Sequence, residues 1–350
     1  MMHYIVTFMP YFKKIVIKEL KKIDENLNII TEFTPEIILI ETSKTQKDFT
    51  NDLLESNPIF IKHIAPASKI IPSLKTKDEV KKLLPNIVEE LVSIDKGTLF
   101  SVQTRIVVGK SFGLDYNSKD IEVILGEHFC EDEKRGEPFF SDKELLNNDD
   151  VNIISVFITP QNTYLGFSKA KENLNFHDNE ARICSHKGKR EVSRAENKLK
   201  EAISKFSLKL EGGKALDIGA APGGWTKVLV DNGYFVIAVD PAELFDNVKC
   251  LKEVTHLKSK IEDLKFENEF DIIVNDMNLE PADSARVMVN LHKSLKENAK
   301  CVLTVKLPFN PEKGILEAKE VLKDYYEILN IKNLFHNRQE VTMLLKKKNV

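Results

Sequence analysis

Residues 214–240, KALDIGAAPGGWTKVLVDNGYFVIAVD, constrain the fold more than any other stretch. Ala215-Leu216-Asp217-Ile218 is a short apolar run that reads as a buried strand. Gly219-Ala220-Ala221-Pro222-Gly223-Gly224 is a tight loop. Residues 225–230 are helix-like, and Asn232-Gly233 supply the residues that end a helix. A second apolar run, 234–239, finishes on Asp240. Strand, glycine loop, helix, strand and acid make one βαβ unit, so the chain must contain an open parallel sheet.

Each part of this unit has a chemical use. Gly219, Gly223 and Gly224 let the backbone approach a ligand with no Cβ in the way. Asp240 follows the second strand, where a carboxylate meets ribose hydroxyls. A dinucleotide loop reads G-x-G-x-x-G, whereas this one reads G-x-x-x-G-G with Pro222 inside it. The pattern favours S-adenosylmethionine, which has no pyrophosphate to cradle. A nucleotide site of another type is the alternative.

The chain has 350 residues, too many for one ordinary core, so two or three domains are expected. No apolar run approaches the ~20 residues that span a bilayer. The amino terminus lacks the basic-then-apolar layout of a secretory signal, and a cytoplasmic protein is expected. Cys130, Cys184, Cys250 and Cys301 form no C-x-x-C pair and do not cluster with histidines. They are expected to be reduced thiols, with no metal site. The net charge of −3 argues against a general polyanion binder but leaves room for a basic patch.

Along the chain, residues 3–42 read as strand, helix, strand, strand, and 59–64 as a further strand. A small α+β unit with its border near residue 70 accounts for them. Residues 77–93 carry apolar side chains at helical spacing, 99–105 form a strand with Gln103 and Arg105 on one face, and 118–129 a second helix. Residues 131–150 read as an exposed acidic loop, and 151–158 and 164–169 as a strand pair. Residues 182–200 are basic, and 194–206 have the spacing of a helix with Lys198 beside its apolar face. Beyond the βαβ unit, strands are expected at 270–276, 300–306, 326–331 and 341–346, with helices at 285–295 and 315–326.

Ligands of open α/β sheets bind outside the carboxyl ends of the strands. Asp217, Asp240, Asp276 and Lys306 all fall at or near such ends. A charge that finishes a buried run is costly unless paired or used. Asp276 and Lys306 lie on successive units and can be neighbours; a structural salt bridge is the alternative to a catalytic use.

Five stretches together carry a family resemblance: the glycine loop, S-R-A-E-N-K-L-K-E at 193–201, V-N-D-M at 274–277, V-K-L-P at 305–308 and F-H-N-R-Q-E-V-T at 335–342. In that order and spacing the chain resembles the FtsJ/RlmM branch of RNA ribose 2′-O-methyltransferases. The resemblance implies a Lys-Asp-Lys-Glu tetrad on Lys198, Asp276, Lys306 and Glu340. It implies an S-adenosylmethionine site built from Asp217, Gly219, Ala221, Pro222, Gly223, Gly224, Trp225, Asp240 and Asp276. The amino-terminal half is similar to a ferredoxin-like unit followed by a THUMP domain, on residues 100–105, 118–122 and 164–174.

The implied organisation is α/β: a ferredoxin-like domain at 1–70, a THUMP-like RNA-binding domain at 71–175, a basic linker at 176–192 and a Rossmann-like methyltransferase domain at 193–350. The implied substrate is RNA of the large ribosomal subunit, with a cytidine as target. Candidate RNA contacts are Gln103, Arg105, Arg182, Lys187, Lys189, Arg190 and Arg194. In the implied roles Lys306 meets the hydroxyl, Asp276 orients Lys306, Lys198 lowers the lysine's pKa, and Glu340 positions Lys198 and the ribose. No membrane contact and no obligate protein partner are expected. Asn275-Asp276-Met277-Asn278 is not the N/D-P-P-F/Y of amino-group methyltransferases, and Cys301, expected to open its strand, is badly placed as a C5 nucleophile. The rivals are an RNA-binding protein with a non-catalytic S-adenosylmethionine site and a nicotinamide-dependent oxidoreductase.

Overall fold

The computed structural model describes residues 1–92, 94, 99–107, 113–130, 137–138, 150–174 and 194–349, with Glu137, Pro138 and Arg194 described by their backbone alone. The expected acidic loop lies almost wholly outside these residues. The chain divides into two compact units, Met1–His186 and Lys187–Val350.

The first unit begins β1 (Met2–Phe8), α1 (Lys13–Ile23), β2 (Asn28–Thr34), β3 (Ile37–Thr42), α2 (Gln46–Ser56) and β4 (Ile61–Pro66). These strands form an antiparallel sheet in the order β2-β3-β1-β4. Consecutive positions of β1 are buried because both faces of the sheet are covered. Tyr4 stacks on Phe49 of α2, while the next residue, Ile5, joins Leu39, Phe157 and Tyr164 in a separate cluster. Helix α2 was not expected from the sequence; Thr45 caps it by accepting from the Asp48 amide at 3.2 Å.

The unit continues with β5 (Lys69–Pro72), α3 (Lys77–Glu89), β6 (Leu99–Ile106), α4 (Ser118–Cys130), β7 (Glu137–Pro138), β8 (Asn152–Ile158) and β9 (Asn162–Lys169). The sheet order is β5-β9-β8-β6-β7. Strand β5 straddles the expected border at residue 70 and belongs to this second sheet. Val80, Leu84, Ile121, Leu125 and Phe129 of α3 and α4 pack on Phe100, Val102 and Ile154. Helix α3 ends at Glu89, short of the expected residue 93, and Leu83 is exposed.

The second unit comprises α5 (Arg194–Lys205), β10 (Gly213–Ile218), α6 (Gly224–Asp231), β11 (Tyr234–Val239), α7 (Asp246–Lys249), β12 (Val254–Leu257), β13 (Phe270–Asn275), α8 (Pro281–Asn290), β14 (Leu295–Lys306), α9 (Pro311–Leu322), β15 (Tyr326–Lys332) and β16 (Glu340–Lys347). Its sheet runs β12-β11-β10-β13-β14-β16-β15. Pairing is parallel from β12 to β14, and β16 is antiparallel to both its neighbours. Leu199 and Ala202 of α5 and Trp225, Val228 and Leu229 of α6 pack on Ala215, Ile272 and Val302. Helices α8 and α9 pack on each other and on β14.

This is a Rossmann-like α/β unit. From β10 the chain steps outward to β11 and β12, then returns to lay β13 on the other side of β10. The order therefore reverses between β10 and β13, which opens a crevice at their carboxyl ends.

Two helices start earlier than the apolar spacing implied, and both end earlier. α8 runs from Pro281 and α9 from Pro311, each with proline in the first turn, where its missing N–H costs nothing. Tyr326, where the expected helix and the expected strand met, opens β15 as expected, and the helix stops short of it at Leu322. Cys301, expected to open its strand, sits inside β14, fully buried, and burial pushes its thiol pKa up. Among the described residues no helix is long and apolar enough to cross a membrane.

Candidate active site

The glycine loop leaves β10 with Gly219 at φ +71° and enters α6 with Gly223 at φ +113°. Both angles lie where only glycine is relaxed. Space is equally restrictive: a Cβ on Gly219 would lie 2.9 Å from the Met277 side chain, and one on Gly223 would lie 3.0 Å from Val248. Asp240, one residue past β11, accepts from the Ala221 amide at 3.1 Å and from the Ala242 amide at 2.8 Å. Its carboxylate thus holds the loop and stands at the edge of the crevice. A tight loop of small residues with a carboxylate one strand away suits a nucleoside cofactor with no pyrophosphate.

Asp217 and Trp225 are buried beside the loop. Asp217 is 1% exposed and accepts from Thr226 Oγ1 at 2.6 Å. Burial raises its pKa to about 7, with Asp276 and Asp240 adding to the rise and the Thr226 hydrogen bond opposing it. Trp225 is 3% exposed, and its indole Nε1 donates to the Ala195 carbonyl at 2.7 Å. As expected cofactor contacts, the side chains of these two residues are better described as braces. One ties the loop strand to α6, the other ties α6 to α5.

Beside the loop, four charged side chains from four elements meet. Lys198 of α5 donates to both carboxylate oxygens of Asp276, at 2.9 Å each, and lies 2.9 Å from Glu340 Oε1. Lys306, the last residue of β14, hydrogen-bonds Glu340 Oε2 and lies 3.7 Å from Asp276 Oδ1. The antiparallel register pairs Lys306 directly with Glu340, which carries the first residue of β16 to the carboxyl end of the parallel strands. Asp276 reaches the same place because β13 ends at Asn275, whose buried amide oxygen accepts from the Met277 N–H at 2.9 Å and turns the chain.

Lys306 therefore has one carboxylate partner more than expected. The expected pairs, Asp276 with Lys306 at 3.7 Å and Glu340 with Lys198 at 2.9 Å, are joined by two more: Asp276 with Lys198, and Glu340 with Lys306. Two cations and two anions balance in a largely buried setting. Burial opposes the charge on Lys198, but Asp276 and Glu340 more than offset it and hold its pKa above the ordinary lysine value. Burial likewise opposes the charge on Glu340, yet hydrogen bonds from Lys306 and Lys198 hold its carboxyl below the usual range. Side-chain exposure is 9% for Glu340, 12% for Lys198, 15% for Asp276 and 27% for Lys306, so Lys306 is the most open of the four.

Three supporting residues were not singled out from the sequence. Glu201, one helical turn beyond Lys198, accepts from the Phe335 amide at 2.5 Å, the His336 amide at 2.9 Å and His336 Nδ1 at 2.8 Å. It fixes the turn that precedes Glu340. Asn333 donates to the Glu340 carbonyl at 2.7 Å, and Asn337 accepts from the Leu334 amide at 2.8 Å and from Thr342 Oγ1 at 3.2 Å. The available signal was the position of Glu201, an acid three residues after Lys198 on a basic helix.

Of the residues expected to touch RNA, Gln103 and Arg105 are half-buried on β6 and line a cavity in the first unit with Thr7, His63 and Ser155. Arg105 also borders an open groove with Phe33 and Gln161. Arg182, Lys187, Lys189 and Arg190, and the side chain of Arg194, lie outside the described residues.

Residues 191–322 match the model of the FtsJ-like methyltransferase family. An uncharacterised protein of Methanocaldococcus jannaschii is 34% identical over 168 residues, 45% of this chain and 47% of that protein. Ribosomal RNA large subunit methyltransferase M of Psychromonas ingrahamii is 32% identical over 208 residues, 53% of this chain and 54% of that protein. The protein of the same name from Aliivibrio fischeri is 31% identical over 223 residues, 57% of this chain and 60% of its own length. The chain thus spans about half the length of the curated relatives it matches. Over residues 191–322 the second unit is thus similar to the FtsJ-like methyltransferases, and the cofactor that goes with that likeness is S-adenosylmethionine.

Proposed function

We propose that the protein methylates a ribose 2′-hydroxyl of RNA, in RNA of the large ribosomal subunit, with a cytidine as the target nucleotide. The observation that carries this reading is the meeting of Lys198, Asp276, Lys306 and Glu340 within ion-pair distance beside the glycine loop. S-adenosylmethionine supplies an electrophilic methyl on a sulfonium; Gly219, Ala221, Pro222, Gly223, Gly224, Asp240 and Asp276 are the residues that hold it.

The rest falls to this chain. A ribose hydroxyl is a poor nucleophile and must be aligned and relieved of its proton as its oxygen takes the methyl and the carbon–sulfur bond breaks. Lys306 meets the hydroxyl, and in its neutral form its Nζ takes the proton. Glu340 aims Lys306. Lys198 stays charged and keeps Asp276 and Glu340 ionised around it.

The first unit would deliver the RNA. Its β-α-β-β-α-β opening supports a ferredoxin-like module at 1–70, and the five-stranded sheet a THUMP-like module at 71–175. The basic residues 182–200 would then guide the backbone. Such a substrate carries a cytoplasmic location with it.

Nucleoside mass spectrometry of total RNA from cells with and without the gene tests the reading. The expected result is the loss of one 2′-O-methylated cytidine. Loss of a base-methylated nucleoside instead, or saturable affinity for NAD with none for S-adenosylmethionine, sinks it.

A further inference from the structure

We infer that Phe309 is a stacking platform for the base of the nucleotide whose ribose is methylated; the inference rests on the RNA reading above and extends it. Phe309 is 94% exposed, more than any other large apolar side chain among the described residues. It lies three residues beyond Lys306, so its Cα is at most about 11 Å from that of the lysine. A lone exposed apolar side chain is ordinary; what singles out this one is its place in the chain, on the loop that leaves the strand ending in Lys306.

The ring is held out rather than frayed. On one side Leu307 is 7% exposed, and its amide donates to the Gln339 carbonyl at 2.8 Å. On the other, Asn310 accepts through its side chain from the Lys313 amide at 3.2 Å and through its carbonyl from the Gly314 amide at 3.2 Å. Pro308 and Pro311 restrict φ on either flank. Pro308 is packed so closely on α9 that a Cβ at Gly314 would lie 2.6 Å from its Cδ. A loop tied at both ends therefore presents one apolar ring at the carboxyl edge of the sheet, three residues along the chain from Lys306.

A nucleobase fits this presentation. Every base has a π face, and stacking on an exposed aromatic side chain needs no hydrogen-bonding partner on the protein. Single-stranded RNA is held by proteins with its bases splayed out and stacked on aromatic side chains, and a ring near the target ribose takes the base in that way. Among the four charged residues nothing apolar offers this service.

The test uses the full chain and total RNA from cells lacking the gene. Phe309→Ala should lower kcat/KM for RNA on the order of ten- to a hundredfold, the loss expected for one stacked base. Its S-adenosylmethionine affinity and melting temperature should be unchanged. Phe309→Trp should restore kcat/KM, and Phe309→Leu, equally apolar but without a π face, should not. An unchanged kcat/KM in the alanine variant, or full rescue by leucine, overturns the platform while leaving methyl transfer to RNA intact. A separate readout covers the case in which the wild type methylates no RNA. Trp225 is buried, so the indole of Phe309→Trp reports on its own loop, and its fluorescence should be quenched by the same RNA. Absence of quenching overturns the inference independently of activity.

Discussion

Exposed ion pairs occur in both units, and the second unit adds a cluster that is largely buried. In the first, ion pairs such as Lys69–Glu90 and Lys171–Asp150 are exposed, with carboxylate side chains 69% and 74% accessible. Pairs of that kind contribute about 0–1 kcal/mol. In the second, four charges from α5, the end of β13, β14 and β16 are gathered at one edge of a sheet, and none exceeds 27% exposure. Breaking a buried pair of that kind costs about 3–5 kcal/mol. Charge retained under burial, at the end of a sheet where ligands bind, is what a functional site looks like. Charge scattered over an exposed surface is what solubility looks like.

The strongest way to break this comparison is to remove Lys306. Lys306→Ala should lower methyl transfer by about a hundred- to ten-thousandfold, the range for loss of a positioned acid–base group. Affinity for S-adenosylmethionine should persist, since the glycine loop does not touch this lysine in any described hydrogen bond. Lys69→Ala in the first unit should leave activity unaltered. Transfer that survives Lys306→Ala returns the cluster to a structural ion network.

Next in size is Lys198→Ala, which leaves Asp276 and Glu340 with one cation between them. Unfolding in denaturant should show a loss of about 3 kcal/mol near neutral pH. The pH dependence sharpens the reading. Lys198 has its folded pKa raised above 10.5, so its stabilisation is complete below that value and is lost as pH rises through the folded pKa. Glu340 has its folded pKa lowered below 4.5, so its stabilisation is complete above that value and is lost as pH falls through the folded pKa. The difference between wild type and Lys198→Ala should therefore be flat from about pH 5 to 10 and shrink on either side. A difference that varies across neutral pH would mean that the cluster is not the ion network described.

How much of this was readable beforehand depends on the kind of signal. The glycine unit was plain because a parallel strand buried on both faces shows as a short apolar run. Asp276 and Lys306 were readable as charges finishing such runs. Helix α2 was not, because QKDFTNDLLES offers only Phe49, Leu53 and Leu54 as apolar anchors and gains its place from stacking on Tyr4. Strand β12 has four residues at the sheet edge, none of them buried, and leaves no pattern. The pairing of Lys306 with Glu340 was hidden too. It follows from the register of β16 against β14, and strand pairing is a property of the folded sheet that no local spacing encodes.

The smallest expected effect lies in the first unit and tests whether that unit is more than a scaffold. If Arg105 on β6 contacts a phosphate, Arg105→Ala should weaken RNA binding about three- to tenfold and flatten the slope of log affinity against log salt by about one. Because such a contact positions the strand without touching the reacting atoms, the change should fall on KM for RNA and not on kcat. Lys306→Ala should do the reverse, lowering kcat with little change in the salt slope. Fluorescence anisotropy across a salt series separates the two. An unaltered slope in Arg105→Ala assigns that side chain to the cavity it lines with Thr7 and Ser155, and leaves the work of holding RNA to other residues of the chain.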